Sequence, residues 1–441
     1  MIWLGDSFIR SLFVDAISKM STRFFILIAF LIALAACTPA PIVDPTEAVT
    51  TTITFWHAFT GASAETLDAL VNDFNKTHPT MQVRVEAKTN EVDLLRQGIA
   101  AIALNQPPDF ILASSRTLAE FARADALVAL DAFIADPGIG LRENERGDLL
   151  PGSLDAGRVR DQLVAFPFDT RALALYYNAD LLKAARADAP PRTWDAFSNA
   201  ARATTKGNAH GWAMSAHAFA FYAMLYSRGG NIVNETQALF GDDAGNKTLQ
   251  MIAALARGGA AYLADHPETG RSDFAHGNVA LWLDTTDQLA PISEAMTRAG
   301  AHFQWGIAPV PQNDPSKPVA VMLGSSIAIF KTRDERARAS WQCARWLAQP
   351  EQIARWARAT HAIPTRVSAR ALVAANPNLQ RLNDGFSNPT PLVRALPGVK
   401  NATQIDLVIA ELWSAVATGT DINIALNTAT TRVNRLLGQT P

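Results

Sequence analysis

Thr52-Ile-Thr-Phe55 and Met81-Gln-Val-Arg-Val85 flank a segment in which Leu67, Leu70, Val71 and Phe74 recur at i, i+3, i+4 and i+7. The flanks read as short strands and the middle as an amphipathic helix, stopped by His78-Pro79. Strand, helix and strand within about 35 residues make a βαβ unit. Its two strands must then run parallel, joined by a right-handed crossover.

The pattern repeats immediately downstream. Val92, Leu95, Ile99 and Ile102 mark a second helix, Pro107-Pro108 stops it, and Phe110-Ile-Leu-Ala113 reads as a buried strand. Ser114-Ser115 ends that strand, and a helix through Leu118 and Phe121 follows. Further strands are predicted at Leu173–Asn178, Gly211–Ser215, Val279–Leu283, Trp305–Ala308, Ala320–Leu323 and Ile327–Phe330. From Arg333 onward the chain reads as largely helical, with two final helices split by Gly419. This is an α/β chain of mixed, mainly parallel sheets flanked by helices. Open α/β sheets place their binding loops at the carboxyl ends of strands. Trp56-His57 and Ser114-Ser115 occupy such ends.

Composition narrows the class. The chain has 441 residues, is 49% apolar and carries a formal charge of −2. A near-neutral balance offers no electrostatic footprint for nucleic acid. Arg23 precedes the apolar run Phe24–Cys37, which ends behind small residues and is too short for a stable membrane span. Residues 1–36 are therefore expected to be a signal peptide, with Met20 a more natural start than Met1. Leu34-Ala-Ala-Cys37 resembles the bacterial lipobox, in which the cysteine is lipidated, although an incidental cysteine behind a plain signal has the same look. On this reading residues 37–50, rich in Pro and Thr, form a lipidated tether to the membrane. The remaining chain of about 400 residues suffices for two domains. Cys343 then has no disulfide partner and reads as a small buried hydrophobe.

Several blocks, in order, resemble the extracellular solute-binding proteins of ABC importers, a family that includes maltose- and glycerol-3-phosphate-binding proteins. They are Ile53-Thr-Phe-Trp-His-Ala-Phe-Thr-Gly61, Pro167-Phe-Asp169 with Leu175-Tyr-Tyr-Asn178, Pro191-Arg-Thr-Trp-Asp195, and Ser227-Arg-Gly-Gly-Asn231. Phe274-Ala-His-Gly-Asn-Val-Ala280, Trp305-Gly-Ile-Ala-Pro309 and Trp346-Leu-Ala-Gln-Pro-Glu351 continue the series. The resemblance implies a two-lobed, hinge-linked periplasmic-binding-protein fold (type II) with ligand in the cleft. Residues 51–166 plus 286–331 are expected to form lobe 1, and 167–285 plus 332–441 lobe 2. The crossings are expected near Phe166–Asp169, Leu283–Thr286 and Lys331–Asp334. The implied partners are a carbohydrate, the membrane-domain subunits of an importer, and the membrane through lipid on Cys37. No cofactor is implied, and a monomer is expected.

Thirteen residues are candidates for the cleft, each with a structural alternative. Trp56 offers an apolar face and His57 a donor, or both pack under their loop. Ser114 and Ser115 offer hydroxyls, or merely terminate a strand. Asp169 and Asp284 can accept sugar hydroxyls, or cap turns. Tyr176 and Tyr177 alternate faces, so only one can face the cleft, and Tyr177 is the candidate. Trp212 and His217 lie in a polar–aromatic stretch suited to ring stacking or to core packing. Gly324 and Ser325 let backbone approach a ligand, and His361 can close the rim. Arg394 is the cation of interest, because glycerol-3-phosphate receptors use an arginine in a comparable late loop. Elsewhere the chain departs from those receptors: Thr89-Asn-Glu-Val92 lacks their tyrosine, Ser115 stands where they carry glutamate, and Ala362 replaces an aromatic. These departures favour a neutral saccharide.

No catalytic constellation accompanies these residues. The chain has no Gly-x-Ser-x-Gly elbow, no His-Glu-x-x-His helix and no cysteine pair at metal spacing. A glycosidase-like carboxylate pair stays open on sequence grounds alone. A membrane-tethered glycoside-acting enzyme is thus the alternative from another class, and a binding protein without enzymatic activity is the expectation.

Overall fold

The computed structural model describes residues 50–438 except 160, 188, 374–379, 381, 385 and 387–390. The expected signal peptide and Cys37 lie outside the described residues. Along the chain come β1 (Thr51–His57), α1 (Gly61–Thr77), β2 (Met81–Ala87), α2 (Glu91–Ala103), β3 (Phe110–Ser114) and α3 (Ser115–Arg123). A small antiparallel pair, β4 (Arg158–Val159) and β5 (Gln162–Leu163), precedes β6 (Phe166–Pro167). Next are β7 (Arg171–Asn178), β8 (His210–Met214), α4 (Ala218–Ser227), β9 (Ala261–Leu263), β10 (Val279–Thr285), β11 (Trp305–Pro309) and β12 (Val319–Leu323). The chain then forms β13 (Ser325–Ile329), α5 (Asp334–Leu347), α6 (Pro350–Thr360), β14 (Leu392–Ala395), α7 (Ala402–Ala417) and α8 (Ile422–Leu436).

Two sheets organise two lobes. The first has strand order β2-β1-β3-β13-β6, and the second β14-β12-β7-β10-β8-β9 with β11 also on β7. β1 pairs in parallel with β2 and with β3, as the βαβ pattern requires. Leu67, Leu70, Val71 and Phe74 form the buried face of α1, packed with Ile53 and Phe55 of β1. Asn90, Ser114, Asn178 and Thr193 each cap a helix through a side-chain oxygen, which fixes where each of these helices begins. Cys343 is fully buried on α5, and burial pushes its thiol pKa up, as for an inert core residue.

The lobe assignment departs from the expected one. β11 and β12 pair with β7, so residues 286–323 belong with the second sheet rather than lobe 1. Conversely, α5 and α6 pack on β1 and α1, so residues 334–360 belong to lobe 1 rather than lobe 2, whereas β14, α7 and α8 pack with the second sheet. The chain passes between sheets at Phe168–Thr170, at Gly324 and a third time between Thr360 and Leu392, whereas Leu283–Thr286 stays in the second lobe and Lys331–Asp334 in the first. Local periodicity identifies a strand but carries no information about which sheet it joins.

Candidate functional site

Strand direction places the site. In the first lobe β1, β2, β3 and β6 end, and β13 begins, at one edge; in the second, β8, β10, β12 and β14 end, and β7 begins, at one edge. The crossings at Phe168–Thr170 and Gly324 join these two edges directly, so the carboxyl ends of both sheets meet at a hinge. Ligands of open α/β sheets bind at such edges.

The hinge is tightly held. Asp169 N–H donates to the Ser325 carbonyl (2.9 Å) and Ile363 N–H to the Thr170 carbonyl (2.8 Å). The Asp169 side chain accepts from Trp356 Nε1 (2.9 Å) and Arg171 Nη2 (3.1 Å), and Arg171 reaches on to Asp287 at 3.4 Å. Asp169 is only 2% exposed, so both carboxylate oxygens serve the hinge and the expected role as a hydroxyl acceptor is corrected. Gly324 has φ +142°, and a Cβ there would sit 2.1 Å from the Asp169 carbonyl oxygen. Glycine is needed here for both conformation and space. Ser325 begins β13 opposite Ser114, and His361 caps α6 in the left-handed conformation, φ 58°. Burial lowers the His361 pKa.

Between the lobes lies a cavity of about 270 Å³, lined by Ser115 and Ala119 of α3, by Gly152, Asp155 and Arg158, and by Val393–Leu396 and Gly398. Arg394 donates to Asn231 Oδ1 (2.7 Å) and stacks over Tyr226, its carbon Cζ 4.4 Å from the ring centre. Arg158 is held by Asp131 at 3.0 Å and by the Asp161 carbonyl at 2.8 Å. Two guanidiniums and one carboxylate therefore border the cavity. Arg158 was not among the expected residues, because a lone arginine in a loop carries no periodic or motif signal.

On the second lobe's edge, His217 caps α4 by accepting Ala220 N–H on Nδ1 (3.3 Å). Burial pushes its pKa down to about 4, so the ring is neutral and carries its proton on Nε2, which has no partner among the described residues. Ser215 Oγ and Thr170 Oγ1 are likewise buried without partners. Asp284 is the next-to-last residue of β10; burial raises its pKa to about 6, against the hydrogen bond from Thr285 N–H (2.7 Å).

Other expected residues are placed differently. His57 is 1% exposed: its Nδ1 accepts Phe59 N–H (3.0 Å), which shapes the loop after β1 and seals the ring inside. Trp56 points to the opposite face of β1, where Lys88 Nζ sits 3.6 Å from its ring centre, beside a groove lined by Glu86 and Asp109. Tyr177 lies at the far end of β7, against Gly306, lining a 410 Å³ cavity with Trp305 and Pro191. That cavity is larger than the inter-lobe one, yet it is remote from both crossings. Trp212 is fully buried core, packed on Phe197 and Trp413. Ser114 caps α3, its N–H donating to Glu91 Oε1 (2.7 Å), and Ser115 lines the cleft. Alternation predicts which residues share a face, not which face meets the cleft, and aromatics default to the core. Among the described residues no cluster of three metal-ligating side chains occurs, and no helix is long and apolar enough to cross a membrane.

Comparisons with known proteins agree with this architecture. The sn-glycerol-3-phosphate-binding periplasmic protein UgpB of Escherichia coli K12 is 25% identical over 412 residues, covering 88% of this chain and 92% of the relative. The sugar-binding protein MalE of Xanthomonas citri superposes with a TM-score of 0.75 at 24% identity, covering 88% of this chain and 97% of that one. UgpB of Mycobacterium tuberculosis in complex with glycerophosphocholine gives 0.68 at 21% identity, covering 88% and 98%. The family model for bacterial extracellular solute-binding proteins matches residues 69–381. With its two hinge-linked α/β lobes, this chain belongs to the bacterial extracellular solute-binding proteins, the extracytoplasmic receptors that bind a solute for ABC importers.

Proposed function

We propose that this chain is a lipid-anchored receptor, tethered through Cys37, that captures a neutral mono- or oligosaccharide between its lobes and delivers it to the importer's membrane domains. The observation that carries this reading is the hinge joining the carboxyl ends of both sheets, with His217 Nε2, Ser215 Oγ and Thr170 Oγ1 at that edge unpartnered among the described residues. Buried polar groups without partners cost free energy, and a polyhydroxylated ligand would satisfy them. The lipid would keep the receptor at high effective concentration beside its permease. Capture then needs no chemistry: a solute shifts the open–closed balance by its differential affinity for the two forms.

A second reading, a glycerol phosphate or its diester, is favoured by one feature. Arg158 and Arg394 both border the cavity and could neutralise a phosphate. Asp155 in the same wall and the scarcity of other cations there keep the saccharide ahead. Thermal unfolding against mono-, di- and oligosaccharides and glycerol-3-phosphate separates the readings. A ligand at a hundred times its Kd should add about 2.7 kcal/mol. A shift with one saccharide class and no turnover supports the first reading. A shift with glycerol-3-phosphate alone, abolished by Arg394→Ala, replaces it with the second; no shift across the panel removes both.

A further inference from the structure

α3 of the first lobe lies against the second lobe along one face. Arg116 grips both carboxylate oxygens of Asp406 on α7, Nη2 to Oδ1 at 2.6 Å, and the Tyr222 hydroxyl of α4 donates to the same Oδ1 at 2.6 Å. One helical turn on, a Cβ built on Gly398 would lie 2.9 Å from Ala119 Cβ, so the two backbones approach as closely as bare glycine permits. A further turn on, Arg123 Nη1 donates to the Gly398 carbonyl at 2.6 Å. Arg116, Ala119 and Arg123 follow helical spacing, so one stripe of α3 makes all three contacts. The Arg116 and Asp406 side chains are 20% and 16% exposed, which limits solvent screening of a bidentate pair. Burial and the Asp406 charge raise the Tyr222 pKa, keeping its hydroxyl a donor. The groups facing this cluster are Arg116, Phe219 beneath its guanidinium, Tyr222 and Asp406.

We propose that this stripe is a clasp: Arg116 and Asp406 hold the lobes together by contacts that involve no solute, and so set how far the cleft is closed before capture. They are positioning residues for binding, distinct from groups that touch the ligand. The proposal rests on the two-lobed architecture and not on the identity of the solute.

The test is disulfide trapping in the full chain without added ligand. Ala119→Cys with Gly398→Cys sets the two Cβ atoms 2.9 Å apart, so a shift of about 1 Å brings them to the Cβ separation of a disulfide. The rate of linkage under oxidised glutathione, read by mass spectrometry as the 119–398 peptide pair, reports the closed population. Adding Asp406→Asn or Arg116→Gln should slow linkage about fivefold or more. Glu411→Gln, which breaks the α7–α8 pair with Arg432 inside the second lobe, should leave the rate unchanged. Linkage as fast in Asp406→Asn as in the parent would overturn the clasp. So would an equal slowing by Glu411→Gln, which would mean general loosening of the second lobe. Because no solute is present, a failed saccharide panel does not bear on this result.

Discussion

The hinge and the clasp are built from the same parts and differ in when those parts meet. At the hinge, Asp169 is held by an arginine and an aromatic donor, Arg171 and Trp356, beside a glycine whose missing Cβ admits backbone. At the clasp, Asp406 is held by Arg116 and Tyr222, beside Gly398. Asp169 and Arg171 are two residues apart in the chain, so their contact survives any motion of the lobes. Arg116 and Asp406 are 290 residues apart and sit on different lobes, so theirs is lost whenever the lobes part. The first arrangement therefore contributes to folding stability, and the second to the open–closed balance.

The largest effect is expected from Asp169→Ala. Removing a buried carboxylate leaves Trp356 Nε1 unpaired and Arg171 with Asp287 alone, which should cost about 3–5 kcal/mol in denaturant unfolding. A loss as small as that from Asp406→Asn would erase the distinction between hinge and clasp. Next comes Gly324→Ala, where a Cβ meets backbone and φ is unfavourable for any L residue. Here about 2 kcal/mol or more should be lost; an unchanged melting temperature would show that the hinge backbone can give way.

Asp284 sharpens the comparison, being a carboxylate at the same edge whose Oδ1 is met by its neighbour Thr285 instead of a guanidinium. Its pKa is raised, mainly by burial, to about 6, so its contribution to stability is complete below about pH 4 and lost as pH rises through about 6. Asp284→Asn should remove that decline and be more stable than the parent at pH 7, by about 3 kcal/mol. Parallel stability–pH curves for parent and variant would mean that Asp284 is fully solvated.

Most of the local structure is legible in the chain of residues alone. Leu67, Leu70, Val71 and Phe74 did become the buried face of a helix, and Thr51–His57 and Met81–Ala87 did pair in parallel. Apolar periodicity and capping residues act over a few neighbours, so they are legible without the fold. Which sheet each strand joins, and which way each candidate side chain points, depends on long-range packing. β11 and β12 joined the second sheet, Trp212 went to the core, Tyr177 to the far end of β7, and Asp169 into the hinge. Arg158 at the cleft and Asp406 at the clasp carried no sequence signal at all. Their environment is set by residues such as Arg116, 290 positions from Asp406, and contacts at that separation depend on how whole lobes pack rather than on any local pattern.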